Sequence, residues 1–261
     1  MIVFCHIPKT AGMAVADVLK YHFGNKYLHT TGWKIGSRYT ENHLKKDLFV
    51  TLNKIKCVGG HGLRPFLDLG EISNNFKWFT MLRDPLSRVL SHYVYDVENS
   101  KGKWPSLPAW MKDGHDNYQC RWIAGQAKSN LAIEILKNKF VSVGLQEQFK
   151  DSMLHFSNFM GWREVVIPEK LINPSRDTVL KNKAKKELYE NYALFEDLNS
   201  EDIHLYDFTK THIWPSQMDF NKSREIRVLT TPSKKHTKHY RENMLFRNYI
   251  YKPFLFLVRN M

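Results

Sequence analysis

Short apolar runs alternate along the chain with longer segments in which apolar residues recur at helical spacing. The short runs predict four strands, at residues 2–7, 56–60, 76–82 and 140–145. The longer segments predict helices at 13–23, 85–97, 116–124, 129–138, 147–159, 180–192 and 200–211. Strands that alternate with helices are typical of an α/β fold, so we expect a mainly parallel central sheet flanked by helices.

Residues 25–55 and 100–114 carry no clear periodicity and are interpreted as loops, the second of them with Pro105 and Pro108. The chain has no repeat and no low-complexity linker, and its 261 residues suit one large domain. We predict one α/β domain over residues 1–212. Residues 213–261 are predicted to form a basic, aromatic extension that packs on the same domain.

The charge changes this picture more than the composition does, because a net charge of +13 favours an anionic partner. Residues 222–261 hold ten Lys or Arg and two Glu, and therefore +8 of that charge. Three cysteines are too few for a disulfide framework, and no run approaches the roughly 20 apolar residues of a membrane span. The opening residues lack signal-peptide features, so we expect a cytoplasmic protein. The basic tail leaves three roles open: peripheral membrane contact, polyanion binding, or docking on the domain.

The first segment with candidate chemistry, His6-Ile-Pro-Lys-Thr-Ala-Gly12, lies between the first predicted strand and the first predicted helix. A helix N-terminus in this place presents backbone N–H groups to phosphate or sulfate. Lys9 adds a full charge, and Gly12 allows a close approach of the backbone. The segment is not a Walker A loop, because it lacks the Gly-Lys-Ser/Thr ending. Taken by itself it is also compatible with a simple connecting loop.

The second segment, Met81-Leu-Arg-Asp-Pro-Leu-Ser-Arg-Val-Leu-Ser-His-Tyr93, again runs from a strand into a helix. Arg83 at the strand end can present a planar fork to a phosphate, and Ser91 follows two turns into the helix. Arg88 and Asp84 are interpreted as orienting or structural residues. A local Arg–Asp pair that caps the helix is the alternative.

The two segments together resemble the nucleotide-binding motifs of the sulfotransferases related to heparan sulfate 2-O- and 6-O-sulfotransferases. Weaker similarity at 117–125, 140–149 and 199–206 extends the resemblance to about residue 212. It implies a P-loop-like sulfotransferase fold. It also implies 3′-phosphoadenosine-5′-phosphosulfate (PAPS) as the sulfuryl donor, 3′-phosphoadenosine-5′-phosphate (PAP) as the product, and no metal.

The resemblance also implies which residues bind the nucleotide. It implies that the 5′-phosphosulfate is bound by residues of the first segment, namely Pro8, Lys9, Thr10, Ala11, Gly12 and Met13. It implies that the 3′-phosphate is bound by Arg83 and Ser91. Family loops continue with Thr or Ser after the glycine, whereas this chain has Met13 and Ala14. Backbone amides and Thr10 are therefore expected to replace the missing hydroxyls.

Sulfuryl transfer to a weakly acidic sugar hydroxyl needs a base, and histidine is the natural one near neutral pH. His61 follows Val58-Gly-Gly60 at the end of the second predicted strand, on the edge where both motifs are expected. Gly-His-Gly also resembles the segment that carries the catalytic histidine in the family. We predict that His61 is the general base and that Lys9 neutralises the leaving phosphate oxygen. A structural histidine in a glycine-flanked turn is the alternative for His61.

Residues 25–55 and 98–118 are the predicted walls of the acceptor site. Stacking on sugar rings is assigned to Trp33, Trp104 and Trp110, and contact with an acidic glycan to Arg64, Lys101, Lys103 and Arg121. The predicted activity is PAPS-dependent O-sulfation of a sugar hydroxyl in a polysaccharide or glycoconjugate. The alternatives are a kinase or NTPase on a similar sheet and a non-enzymatic polyanion-binding protein. Nucleic acid is not expected, because no reader motif is recognisable.

Overall fold

A five-stranded parallel sheet forms the centre of the protein. The computed structural model describes residues 1–30, 54–99, 106–167, 178–220 and 225–259. In chain order the strands of the central sheet are β1 (Ile2–Cys5), β2 (Tyr27–Thr30), β3 (Cys57–Gly60), β4 (Lys77–Leu82) and β5 (Phe140–Leu145). Their order across the sheet is β2-β3-β1-β4-β5. The predicted α/β class with a mainly parallel sheet is confirmed.

Eleven α-helices surround the strands within the described residues. In chain order they are α1 (Gly12–Phe23), α2 (Pro85–Asn99), α3 (Leu107–Lys112), α4 (Tyr118–Ala124), α5 (Ser129–Lys139), α6 (Phe149–Phe159), α7 (Thr178–Glu190), α8 (Tyr192–Phe208), α9 (Trp214–Phe220), α10 (Lys234–Phe246) and α11 (Lys252–Arg259). A second sheet pairs β6 (Glu164–Val166) with β7 (Arg227–Leu229). The predicted helices at 13–23, 85–97, 116–124, 129–138, 147–159 and 180–192 are confirmed to within a few residues.

The central strands bury both of their faces, which explains why they are apolar runs in the sequence. Successive side chains of a strand point to opposite faces, so Val3 and Cys5 join one core cluster while Ile2 and Phe4 join the other. Helices cover both clusters. Because helices cover both faces of the sheet, a functional site is expected at the carboxyl ends of the strands, where polar side chains follow them.

The interpretation of residues 25–55 as loop is wrong at its start, because β2 occupies Tyr27–Thr30. Two of its four residues are polar, which hides the strand in the sequence. The Tyr27 hydroxyl and His29 Nδ1 are 3.0 Å apart, and the Thr30 hydroxyl donates to the Gly59 carbonyl. Those partners allow all four residues to be buried. Residues 31–53 lie outside the described residues.

The interpretation of residues 100–114 as loop is also wrong in part, because α3 covers Leu107–Lys112. Ser106 caps this helix by accepting a hydrogen bond from the Ala109 backbone N–H. Pro108 stands in the first turn, where its missing N–H costs no intrahelical hydrogen bond. A proline taken as a loop signal is therefore part of the start of a helix.

The C-terminal segment contacts the first helix and the edge of the sheet. Asn243, buried on α10, donates to the carbonyls of Gly24 (2.8 Å) and Tyr27 (2.6 Å). The His239 ring nitrogen lies 3.1 Å from the Tyr21 carbonyl, and Tyr251 is buried in a core cluster. Among the described residues, every helix is too short or too polar to cross a bilayer.

Replacing Asn243 tests how firmly the C-terminal segment supports the sheet edge. Asn243→Ala removes both hydrogen bonds and leaves two carbonyls without these donors, so we expect a loss of about 2–4 kcal/mol in the free energy of unfolding. Urea denaturation measures the loss. Lys238→Ala, which removes only an exposed pair with Glu242 on the same helix, should cost less than ~0.5 kcal/mol. An Asn243→Ala protein as stable as this control would contradict a structural role for the contact.

Candidate active site

The ends of β1, β3 and β4 bring the predicted site residues to one edge of the sheet. The segment with Lys9 follows β1, His61 follows β3, and Arg83 follows β4. The chain leaves β1 toward β2 on one side and leaves β4 toward β5 on the other, so the connections diverge between β1 and β4. In open α/β sheets, the crevice at such a divergence is where ligands bind.

The loop before α1 holds two non-glycine residues in the left-handed region, Lys9 at φ 69° and Ala11 at φ 65°. This conformation costs of order 1–3 kcal/mol per residue and concentrates at functional sites. Gly12 begins the helix directly afterwards, so the first N–H groups of α1 have no intrahelical partner. The loop therefore has the properties of an anion-binding helix N-terminus.

Gly12 is required by the ring of His6. A Cβ placed on Gly12 would overlap the His6 imidazole, so no other residue fits there without displacing that ring. Thr10 is fully buried, and its hydroxyl donates to the Ile7 carbonyl at 2.9 Å. In this structure the Thr10 hydroxyl is committed to that carbonyl, so backbone N–H groups are what the loop offers to an anion, and the role of Thr10 toward the phosphosulfate stays a prediction. Met13 lies on the surface.

Arg83 joins the two motifs directly. Its guanidinium Nη1 donates to the Lys9 carbonyl at 3.0 Å, across the crevice between β1 and β4. Burial lowers the pKa of Arg83, and the nearby carboxylates of Glu147 and Asp84 raise it. Within the described residues its Nε is buried without a hydrogen-bond partner. This arginine is held in place and still has donor capacity for an anion.

The side chain of Gln119 fixes the backbone of Arg83. Its amide oxygen accepts from the Arg83 N–H at 3.0 Å, and its amide nitrogen donates to the Arg83 carbonyl at 2.9 Å. Gln119 is fixed in turn by Asp202, which is fully buried and accepts from the N–H groups of Gln119 (2.9 Å) and Cys120 (2.8 Å). These two residues form a supporting layer behind the crevice.

Arg88 is fully buried on α2 and belongs to this supporting layer rather than to a ligand surface. Its Nε lies 4.0 Å from Asp202, and its Nη1 donates to His92 Nδ1 at 3.3 Å. Because arginine can only donate, the proton of the neutral His92 ring is on Nε2. His92, Asp96 and His115 hold potential metal-ligand atoms within 4.8 Å of one another.

Lys9 contacts helix α2, which also carries Ser91. Lys9 Nζ lies 4.2 Å from the centre of the Tyr95 ring. Ser91 is four residues before Tyr95 and so lies on the same face of the helix, half-buried. Burial and the charge of Arg83 lower the pKa of Lys9, while Asp96 and Glu98 raise it. Lys9 therefore borders the crevice beside Arg83 and contacts the face of α2 that carries Tyr95.

His61 lies beside the loop, on the β3 side of β1. Its Nδ1 is 2.9 Å from the His6 carbonyl oxygen. A carbonyl only accepts, so Nδ1 carries the proton and Nε2 carries the lone pair. Burial lowers the pKa of His61 below 6.5, the hydrogen bond to the His6 carbonyl opposes that shift, and the charge of Arg64 adds to it. The ring is neutral at pH 7 with one basic nitrogen.

The rings of His6 and His61 are in contact, with centres 4.0 Å apart. Burial lowers the pKa of His6 well below 6.5, with a further contribution from His61, so His6 stays neutral. Its ring touches Gly12 on the phosphate loop as well as the ring of His61. The His6 side chain therefore connects the phosphate loop to the candidate base.

Two aromatic residues of α4 continue the site beyond His61. The Trp122 ring meets the His61 ring edge-on at 5.8 Å and stacks on Tyr118 at 5.2 Å. The guanidinium Cζ of Arg64 lies 3.8 Å from the centre of the Trp122 ring. This wall is built from residues on both sides of β1.

The structure corrects one of the acceptor assignments and leaves others untested. Trp110 is fully buried and donates to Asp96 at 3.0 Å, so it cannot stack on a sugar. Arg121 is exposed and pairs with Asp116 at 2.6 Å. The other predicted acceptor residues, Trp33, Lys101, Lys103 and Trp104, lie outside the described residues.

Sequence reasoning missed the residues that position the predicted site. For His6 the sequence indicates only a structural role, and its contact with the ring of His61 depends on the fold. Gln119 holds the backbone of Arg83, and Asp202 holds Gln119. These partners are far apart in the chain, so no local sequence pattern predicts the contacts. Glu147 accepts from the Asp84 N–H at 3.0 Å and from the Tyr206 hydroxyl at 3.0 Å, so it links the ends of β4 and β5 to α8.

Comparison with known proteins gives one match. The family described as "Sulfotransferase family" matches residues 1–209, which is most of the chain and contains all of the candidate site. None of the curated proteins compared with the chain matches it.

Replacing Gln119 tests the supporting layer. Gln119→Leu keeps the volume but leaves the N–H and C=O of Arg83 without these partners, so we expect the free energy of unfolding to fall by about 2–4 kcal/mol. Chemical denaturation measures this loss. Gln126→Leu, an exposed glutamine just after the same helix, serves as the control and should change stability by less than ~0.5 kcal/mol. Equal stabilities of the two variants would show that Gln119 does not hold Arg83.

Proposed function

This chain belongs to the sulfotransferase family, and from that premise we propose that it transfers a sulfuryl group from PAPS to a hydroxyl of a sugar. The observation that carries the proposal is the position of His61. It supplies a neutral imidazole whose basic nitrogen is defined by a hydrogen bond, and it lies next to the crevice in which Lys9 and Arg83 meet. A base beside a cationic phosphate crevice is what transfer to a hydroxyl requires.

The residues of the crevice fit a nucleotide with phosphates at both ends. The backbone N–H groups from Lys9 to Met13 at the start of α1 suit the 5′-phosphosulfate. Arg83 offers a buried Nε without a hydrogen-bond partner among the described residues. Ser91 offers a half-buried hydroxyl two turns into α2. Both groups suit the 3′-phosphate. When bound, PAPS supplies an activated sulfuryl group on a phosphate leaving group.

Lys9 and His61 divide the chemistry between the two ends of an in-line transfer. His61 Nε2 takes the proton of the acceptor hydroxyl as its oxygen forms a bond to sulfur. The bond between sulfur and the phosphate oxygen breaks, and Lys9 neutralises the charge that develops on that oxygen. The products are a sulfate ester on the acceptor, PAP, and a proton on His61 that returns to solvent.

The proposed partner is a sugar hydroxyl in a polysaccharide or glycoconjugate, on the side of His61 away from the nucleotide. We also propose a cytoplasmic site of action, with the basic helix α10 available to an anionic surface. The alternative function is that of a kinase or NTPase. Nucleotide preference distinguishes the two functions. Thermal stabilisation by PAP but not by ATP–Mg²⁺ would support the proposal, and the reverse would overturn it.

Replacing Arg83 tests the nucleotide. Arg83→Ala should weaken PAP binding by about 10- to 150-fold, which corresponds to the 1.5–3 kcal/mol of a charge-assisted contact. Adenosine 5′-phosphosulfate lacks the 3′-phosphate, so its binding should be weak in the wild type and unchanged in the variant. Calorimetry with both nucleotides measures the difference. Equal losses for the two would show that Arg83 does not bind the 3′-phosphate.

Replacing His61 tests the base. His61→Ala should bind PAP as the wild type does while its kcat falls by about 10²–10⁴-fold, the usual scale for loss of a general base. Because the pKa of His61 is lowered, its ring stays neutral at pH 6.5 and above. The wild-type kcat/KM for the acceptor should therefore fall only at a pH below 6.5, where the ring becomes protonated. This acid limb should be absent from the variant.

A matched variant and the nucleotide affinity distinguish catalysis from structure at His61. His212→Ala, on an exposed histidine outside the site, should keep the wild-type kcat and acid limb. Loss of both turnover and PAP binding in His61→Ala would indicate distortion of the loop. A His61→Ala protein that keeps most of its turnover would end the case for His61 as the base.

A further inference from the structure

The C-terminal helical segment, α10 and α11, carries apolar side chains on the face that points away from the domain. We propose that this face docks on a membrane surface that contains anionic lipid, with the segment lying along the surface. The inference concerns a part of the protein outside the candidate active site, and it does not depend on the proposed function.

Helices α10 and α11 form one continuous segment, because a π-helical turn at Arg247–Tyr251 joins them without a break. One side of the segment holds it on the domain. Asn243 and Tyr251 are buried there, and the His239 ring nitrogen lies 3.1 Å from the Tyr21 carbonyl. These anchoring residues are four and eight positions apart. Each residue turns a helix by about 100°, so positions two residues away from the anchors lie on the opposite side.

That opposite side, the outward face, is basic in its first half and apolar in its second half. It consists of exposed residues at every third or fourth position, namely Lys238, Arg241, Leu245, Tyr249, Pro253 and Leu257. Leu245 is 58% exposed, Tyr249 75% and Leu257 63%, and Ile250 beside them is 60% exposed. Single exposed apolar residues are normal on a protein surface, but a continuous row of them along one helix indicates an interaction site.

The charge of the segment indicates what the row binds. Residues 234–259 contain seven Lys or Arg and one Glu, and therefore a net charge of +6. The one acid, Glu242, lies 3.9 Å from Lys238. Basic residues combined with an apolar row are typical of helices that lie in the headgroup region of a bilayer. Tyr249 suits that region as well, because its ring is apolar and its hydroxyl is polar.

A bilayer with anionic lipid supplies both partners that the outward face needs. A soluble polyanion would neutralise Lys238 and Arg241 but would leave the apolar half in water. A second copy of the chain would cover the apolar half but would bring two segments of the same positive charge together. Among the described residues, every helix is too short or too polar to cross a bilayer, so the segment lies on the surface.

The test measures binding of the full chain to two kinds of vesicle, by co-sedimentation at low salt. One kind is phosphatidylcholine alone, and the other is equal parts phosphatidylcholine and phosphatidylglycerol. The wild type should bind the anionic vesicles at least about 10-fold more tightly. Leu245→Gln/Leu257→Gln keeps the charge and should weaken this binding by at least about 10-fold. Lys238→Gln/Arg241→Gln should weaken it by about 10- to 30-fold.

Helix α7 provides a matched control for each variant, because it is also basic and also exposes apolar residues. Val179 and Tyr189 are 78% and 56% exposed, but they are ten positions apart and form no row. Val179→Gln/Tyr189→Gln and Lys181→Gln/Lys183→Gln should both leave binding within about threefold of the wild type. All of the replaced side chains are exposed, so every variant should keep the wild-type Tm and report on binding alone.

Several outcomes would overturn the proposal. Binding to anionic vesicles that survives Leu245→Gln/Leu257→Gln would show electrostatic adsorption without docking of the apolar row. An equal loss in Lys181→Gln/Lys183→Gln and Lys238→Gln/Arg241→Gln would show that the overall charge is responsible. Equal affinity for the two vesicles, or none for either, would exclude anionic lipid as the partner. A dimer in sedimentation velocity that Leu245→Gln/Leu257→Gln abolishes would assign the face to a second copy of the chain.

Discussion

The parallel pairing of β1 with β3 on one side and β4 on the other is the constraint on which the site depends. Parallel strands end at the same edge, so the pairing Cys5↔Gly60 and Cys5↔Thr80 brings three chain segments to one line. The Thr80 hydroxyl donates to the Cys5 carbonyl at 2.8 Å and ties the ends of β1 and β4 together. Lys9, His61 and Arg83 follow these ends within a few residues, so their proximity results from strand pairing.

Positioning within that edge comes from buried side chains that do not belong to the predicted set. His6 fills the space between Gly12 and the ring of His61, and its carbonyl determines which nitrogen of His61 is basic. A shift of the phosphate loop would therefore move the candidate base as well. Gln119 has the corresponding role on the other side of the crevice, where it binds both backbone groups of Arg83. His6 and Gln119 are thus two buried residues that position His61 and Arg83 through packing and hydrogen bonds.

Local patterns predicted the parts of the structure that are local. Phe140–Leu145 is mostly apolar and is predicted to the residue, and His61 and Arg83 are found because each directly follows a recognisable strand. The strand at Tyr27–Thr30 escaped because its polar residues obtain partners only in the fold. Gln119 binds Asp202, which is 83 positions away, and the Arg64 guanidinium packs on the distant Trp122 ring. Neither contact can be derived from spacing in the sequence. The sequence predicts the ends of the strands well, but it does not predict the buried side chains that hold the residues at those ends.

The central place of β1 has a consequence for how the protein forms. β1 is made before both of its neighbours in the sheet, because Ile2 pairs with Cys57 and with Lys77, so neither neighbour exists when β1 leaves the ribosome. Gln119, Asp202 and Asn243 follow later still. Contacts so distant in sequence close slowly and leave apolar strands exposed meanwhile. The loop between β1 and α1 is therefore synthesised before the segments that hold it in place, and it reaches its working geometry only after they have formed. A nascent chain must keep β1 unpaired, without aggregating, until β3 and β4 have both been translated.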